Sequence, residues 1–165
     1  MINELRLGMA VKRFHTTHRT QQETVGHHSA NVCAILLRLE PNVSRDVLVR
    51  ALMHDVPEYY TGDVPAPFKW DNTEAKSALN TGELRYIRAN DIPHPELDIY
   101  ELALLKLADM LDLVLSSLEE VNRGNAYAIK LVENGKRYLE NLPAYEKYSV
   151  KVKKMMEEVV IYERQ

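Results

Sequence analysis

His54 and Asp55 stand side by side at the end of an apolar segment, and both side-chain types ligate divalent metals near neutral pH. Taken alone, the pair also fits a helix end, with a histidine suited to the dipole and an exposed aspartate beside it. The residues that follow widen the possibilities. Glu58 lies four positions past His54, and Thr61-Gly62-Asp63-Val64-Pro65 comes next, so carboxylates at 55, 58 and 63 crowd around one turn. Tyr59, Tyr60, Val64, Pro65 and Pro67 flank them, which predicts a segment packed against the body of the protein. Carboxylates held against an apolar wall are costly unless they serve a metal or an ion pair.

Two further residues belong to the same argument. His28 shares a helix face with Val25, Val32 and Ile35 and is expected to point inward, while His27 points elsewhere and is expected at the surface. A lone inward histidine is more often a hydrogen-bonded core residue than a ligand. Asp109 sits in the apolar run Leu104–Leu111, with Leu105 and Leu113 one turn away on either side. A carboxylate on such a face needs a cation. Lys106, three positions earlier, is one candidate; a metal held with His28, His54 and Asp55 is the other. Two imidazoles and two carboxylates suit zinc, cobalt, manganese, magnesium or iron rather than copper.

The elements that must position these groups are helices. Helical periodicity covers most of the chain, and strand alternation is absent over any useful length. A first short helix is expected over about residues 3–12. Thr24 is a natural N-cap for a second, which Pro41 stops. Ser44 caps a third, with Val47, Leu48, Ala51 and Leu52 on its buried side. Residues 54–70 carry Pro57, Gly62, Pro65 and Pro67 and read as a broken helix followed by a loop. A fourth helix starts near Asn72 or Thr73 and ends before the Asn90–Pro95 loop. Residues 97–121 form the longest, with Leu102, Leu105, Ala108, Leu111, Leu115 and Leu118 repeating and Gly124 just past its end. Two more follow, over about 126–140 and 144–162. The last presents Met155, Met156, Val159, Val160 and Tyr162, a core face or a contact surface. The expectation is one all-α domain over residues 1–165, a bundle of about six or seven helices.

Composition narrows the setting. A chain of 165 residues with 45% apolar and 27% charged residues can bury a real core. A net charge of −3 gives no basic footprint for a nucleic-acid polymer. Phosphate chemistry would therefore need local cations or a metal. With Cys33 as the single cysteine, an internal disulfide and a multi-thiolate zinc site are excluded, and a reducing compartment is the natural setting. No apolar stretch approaches the ~18 residues that span a bilayer, and the first residues do not read as a signal peptide. The expected location is the cytoplasm, or the host cytoplasm for a phage protein.

The order His28 … His54-Asp55 … Asp109 resembles the HD-domain phosphohydrolases. So do Arg13-Phe14, Glu23-Thr24-Val25-Gly26-His27-His28-Ser29, Ala51-Leu52-Met53-His54-Asp55-Val56-Pro57-Glu58, Thr61–Lys69 and Lys106-Leu107-Ala108-Asp109. Over about residues 10–125 these segments are similar to the 5′-deoxynucleotidase branch and its phage relatives, among them triphosphohydrolases of deoxynucleoside triphosphates, including dATP. The resemblance implies a divalent metal held by His28, His54, Asp55 and Asp109. It implies that Glu58 orients or deprotonates the attacking water and that Asp63 acts near the leaving 5′ oxygen as general acid. Arg13, Lys69 and Lys106 would meet the phosphates, and Phe14 the sugar or base. Two positions depart from the family pattern: His27 stands where glutamate is usual, and Phe14 replaces a tryptophan. The expected reaction is cleavage of a deoxynucleotide at its 5′ phosphoester bond. The Arg13-Phe14-His15 opening favours a dNTP triphosphohydrolase, with dATP as substrate; a nucleotidase acting on dNMPs is the first alternative, and a non-catalytic nucleotide-binding module the second. A homo-oligomer, dimer or hexamer, is also implied.

Overall fold

Thr24 and Ser44 cap the helices they precede: the Thr24 hydroxyl accepts from the His27 N–H, and the Ser44 hydroxyl accepts from the Val47 N–H, each at 3.3 Å. The structure, a computed structural model, describes residues 2–161 and, among these, all side chains except those of Trp70, Val160 and Ile161. Its helices are α1 (Ile2–Met9), α2 (Val25–Leu39), α3 (Arg45–Met53), α4 (Glu58–Thr61), α5 (Ala66–Asp71), α6 (Thr73–Ala89), α7 (Ile99–Asn122), α8 (Ile129–Glu140) and α9 (Tyr145–Ile161). A 3₁₀ turn, Ala126–Ala128, leads into α8. The all-α class is as expected. The helix number exceeds the expected six or seven because the proline-rich segment 54–70 folds into the two short helices α4 and α5.

The longest helix is the spine. Asp98 and Glu101 form a reciprocal capping box at its start, and Gly124, at φ 87°, turns the chain just past its end. Along α7 Leu104, Leu105, Leu107, Ala108 and Leu111 meet Val32, Leu36 and Leu39 of α2, Val47 and Ala51 of α3, and Val152 and Met155 of α9. Farther along, Val114 and Leu118 pack with Val132 of α8, and Met156 and Val159 of α9 lie against them. The last helix thus uses Met155, Met156 and Val159 as a core face; Tyr162 and the Val160 side chain lie outside the described residues.

Several details differ from expectation. The first helix ends at Met9, and the chain then runs extended through Lys12, which makes an isolated antiparallel bridge with Thr24. Leu52 and Leu102 are exposed, at 37% and 44%, because α3 and α7 each turn those positions off the shared core. Tyr59 and Tyr60 are 49% and 66% exposed, so the apolar flank of the carboxylate cluster is largely a surface ring stack with Tyr86. Glu58 itself is nevertheless buried.

The turn carrying His54 and Asp55 is braced from behind by α1. A Cβ on Gly8 would lie 2.6 Å from the Val56 carbonyl oxygen, so only glycine permits this approach.

Candidate metal centre and active site

Helix α2 delivers His28 fully buried, and α3 delivers His54 at its C-cap, with the two rings 5.3 Å apart. The His28 Nε2 lies 3.3 Å from Asp109 Oδ1 and 3.6 Å from Asp55 Oδ2, and the His54 Nε2 lies 3.2 Å from Asp55 Oδ1. All four sequence candidates therefore converge. His28, His54 and Asp109 offer ligand atoms within 4.8 Å of one another. Each ring has its other nitrogen engaged: His28 Nδ1 meets Asp112 Oδ2 at 2.6 Å, and His54 Nδ1 meets the Ala51 carbonyl at 2.7 Å. The two Nε2 atoms are buried without a hydrogen-bond partner. Paired buried nitrogens facing two carboxylates, with no donor–acceptor match of their own, fit a divalent cation.

The surrounding charges are arranged in a chain. Arg13 is buried and joins Asp55 at 2.8 Å to Glu23 at 3.1 Å. Burial works against the Arg13 charge, but the Asp55 and Glu23 carboxylates outweigh it and hold the guanidinium above its usual value. Lys106 lies 2.6 Å from Asp109, so both cations weighed for that aspartate, lysine and metal site, are at hand. Burial disfavours the Asp109 charge; His28 and Lys106 more than offset it and hold the carboxyl well below the ordinary range. For His28, burial opposes protonation, yet the Asp109 and Asp112 carboxylates beside its two nitrogens raise its value to about 9.

Glu58 occupies the first turn of α4, and one of its oxygens is buried without a partner. Burial, with Asp55 and Asp63 nearby, pushes its carboxyl up to about 9. Asp63 Oδ2 accepts the Phe14 backbone N–H at 2.8 Å, which fixes Phe14 in a left-handed conformation at φ 56°. The Arg19 guanidinium lies over the Phe14 ring, 4.2 Å from its centroid. Lys69, on α5, feels both Glu58 and Glu83 electrostatically. His27 is exposed, as expected.

Sequence reasoning overlooked three residues. Asp112 carried a signal, a second carboxylate one turn past Asp109 on the same apolar helix. Glu120 carried none, because Thr20 and Gln21 lie about a hundred residues away in the chain, and Arg19 carried none, because its place over the Phe14 ring depends on how the loop folds. Glu120 is 1% exposed and accepts from Thr20 N–H at 2.7 Å, Thr20 Oγ1 at 2.8 Å, Gln21 N–H at 3.2 Å and Asn125 Nδ2 at 2.8 Å. It pins the loop that carries Arg13 and Phe14.

Comparison with known proteins places this geometry. The fold is similar to a cyanophage S-2L HD phosphohydrolase, DatZ, whose structure holds dA and one catalytic Zn²⁺ ion (TM-score 0.73, 17% identity, 96% of this chain and 97% of that one). It is also similar to an HD-domain phosphohydrolase from Listeria innocua (TM-score 0.68, 19% identity, 96% of each chain). A Pyrococcus horikoshii protein gives a TM-score of 0.67 at 18% identity, over 95% of this chain and 99% of that one. In sequence, the chain is 29% identical over 138 residues to a 5′-deoxynucleotidase of Cronobacter sakazakii, covering 70% of this chain and 69% of the relative. Residues 1–160 match the family described as 5′-deoxynucleotidase YfbR-like. A match spanning nearly all of the chain means that it belongs to the YfbR-like 5′-deoxynucleotidase family.

Proposed function

We propose that the protein is a metal-dependent phosphohydrolase that cleaves the 5′ phosphoester bond of deoxynucleotides, with deoxynucleoside monophosphates as the leading substrates. The observation that carries this reading is the pair of buried, unpartnered Nε2 atoms of His28 and His54 beside Asp55 and Asp109. These four residues would hold the metal. Zinc is the first candidate, since the phage structure with the same fold contains it; cobalt, manganese, magnesium and iron suit the same donors. When bound, such an ion polarises a phosphoryl oxygen and lowers the pKa of water.

The chain's own groups supply the rest. Arg13, already oriented by Asp55 and Glu23, presents a guanidinium to the phosphate, and Lys106 and Lys69 add charge neutralisation. Water attacks phosphorus as the bond to the 5′ oxygen breaks. Glu58, buried beside Asp55 with one oxygen unpartnered, would take the proton of the attacking water from its ionised form, which a cation held at Asp55 would favour. Asp63 would serve as the acid toward the 5′ oxygen. Its Oδ2 is engaged by Phe14 N–H, so that proton would come from Oδ1. Phe14, braced by Arg19 and Asp63, offers a ring to the sugar or base.

A second reading keeps the same bond and changes only what lies beyond the α-phosphate: a triphosphohydrolase acting on dNTPs, dATP first. The Arg13-Phe14-His15 opening favours it; the matched family puts monophosphates ahead. One assay separates them. Protein stripped by chelator and reloaded with each metal is incubated with every dNMP and dNTP, and products are resolved. Phosphate from dNMPs supports the proposal, and deoxynucleoside plus triphosphate from a dNTP supports the second reading. No 5′ cleavage by folded, metal-loaded protein would overturn both. The resemblance also implies a homo-oligomer, dimer or hexamer, and sedimentation of the purified protein tests that. Among the described residues, no helix is long and apolar enough to cross a membrane.

A further inference from the structure

His28 and His54 are tied down differently. The Nδ1 of His54 faces a neutral backbone carbonyl of its own helix, whereas the Nδ1 of His28 faces a carboxylate from another helix at 2.6 Å. That carboxylate, Asp112, is 3% exposed, and the ring it meets is fully buried. A buried carboxylate needs a donor, and the His28 N–H is its hydrogen-bond partner here. Asp112 lies one helical turn past Asp109 on α7, so a single helix supplies both a candidate ligand and the group behind the facing histidine.

We infer that Asp112 is a positioning residue for the metal centre: it holds His28 as the Nδ1–H tautomer, aims the Nε2 lone pair between Asp55 and Asp109, and makes His28 the stronger of the two imidazole donors. An anionic acceptor pushes more electron density into the ring than a carbonyl does, so His28 gains basicity that His54 lacks. Helix α2 alone does not do this: of the polar neighbours of His28, His27 points to solvent, and Ser29, though buried, makes no bond to the ring. The Glu23 carboxylate also comes near His28, but Arg13 and Arg19 claim it, at 3.1 and 3.7 Å. Asp112 is therefore the acceptor left for the ring.

This inference rests on the metal reading above, and the experiment distinguishes the two. Zinc affinity is measured by chelator competition for wild-type protein, Asp112→Asn and Asp112→Ala, alongside Lys147→Ala as a remote control. Zinc-loaded wild-type protein is examined by ¹⁵N NMR of its imidazoles. The expected result is tight binding by wild type, Kd weakened by about 10–100-fold in the variants with alanine the worse, and a protonated Nδ1 on His28. Failure of wild type to bind zinc sinks the metal reading itself. Tight wild-type binding with unchanged Kd in both variants overturns the role of Asp112, even where their melting temperatures fall. So does a spectrum with His28 Nδ1 as the ligand, which needs no variant to fold. A second equivalent of zinc that disappears with Asp112, while the first keeps its affinity, would also overturn it, by making Asp112 a ligand of another site with Glu23.

Discussion

Glu58 is the residue on which the proposed chemistry depends most directly. Its carboxyl is raised from 4.5 to about 9 in the metal-free protein, first by burial and then by Asp55 and Asp63. The folded state therefore holds a proton that the unfolded chain releases above about pH 4.5. The metal-free protein should lose stability as pH rises from there toward 9. Glu58→Gln removes the Glu58 share of that dependence and leaves the share of His28, so denaturant melts at pH 6 and pH 8.5 should differ less in the variant than in wild type. In the loaded enzyme the same substitution should lower kcat by roughly 10²–10⁴-fold with zinc affinity unchanged. Parallel loss of zinc would instead make Glu58 a ligand. At this scale much was legible: an imidazole or carboxylate in an apolar helix face announces itself, as His28 and Asp109 do. Asp63 was only half legible. Its bond to the Phe14 backbone depends on two loops meeting, which no spacing encodes.

At the scale of elements, two contacts keep the site in register. Glu120 of α7 holds the 13–23 loop through Thr20 and Gln21, and those bonds outweigh its burial and lower its carboxyl to about 2 from an ordinary 4.5. A depressed value means that the latch is whole above about pH 4.5 and weakens as pH falls toward 2. Glu120→Ala removes the acceptor of Thr20, Gln21 and the buried Asn125 amide and should cost roughly 1–3 kcal/mol, with kcat/KM falling as Arg13 and Phe14 lose their seat. Glu120→Gln should flatten the acid limb of the stability curve. The second contact is Gly8 against Val56, at a distance that admits no Cβ. Gly8→Ala should shift the His54-Asp55 turn, costing about 1–3 kcal/mol and weakening zinc binding; a melt and a chelator titration check it. Caps and periodicity made α2, α3, α6 and α7 legible. The segment 54–70 was not, because prolines mark breaks without saying that short helices lie between them. Leu52 and Leu102 kept the apolar period yet face solvent, since period alone does not tell where a neighbouring helix ends.

For the whole molecule, the candidate ligands come from α2, α3 with its following turn, and α7. The candidate metal site is therefore assembled only once the core formed by those three helices has closed. Anything that binds the closed state alone raises its stability, by about 2.7 kcal/mol at a free concentration of 100 times Kd. Zinc should raise Tm and chelator should lower it, and His54→Ala should abolish the difference. An unchanged Tm across zinc concentrations would remove metal from the account. Residues 1–160 carry the family match, so the architecture was readable from motif order at a distance where identity with solved relatives is below 20%.

The loop between Arg13 and Glu23 is closed at its neck. Lys12 bridges Thr24, Arg13 N–H reaches the Glu23 carbonyl at 3.0 Å, and Val25 N–H reaches the Val11 carbonyl at 2.9 Å. Its inner side is fastened to α7, while His15, Thr16 and His18 face solvent. A stretch fixed at both ends and free at its tip behaves as an exchangeable cassette. Mutation can rewrite His15 and Thr16 beside Phe14 while the neck and the metal ligands stay put. On the proposed reading that Phe14 meets the nucleotide, relatives of one scaffold would drift in preference at this tip with the candidate metal ligands kept, and the tip is the place to begin when redirecting the enzyme by design.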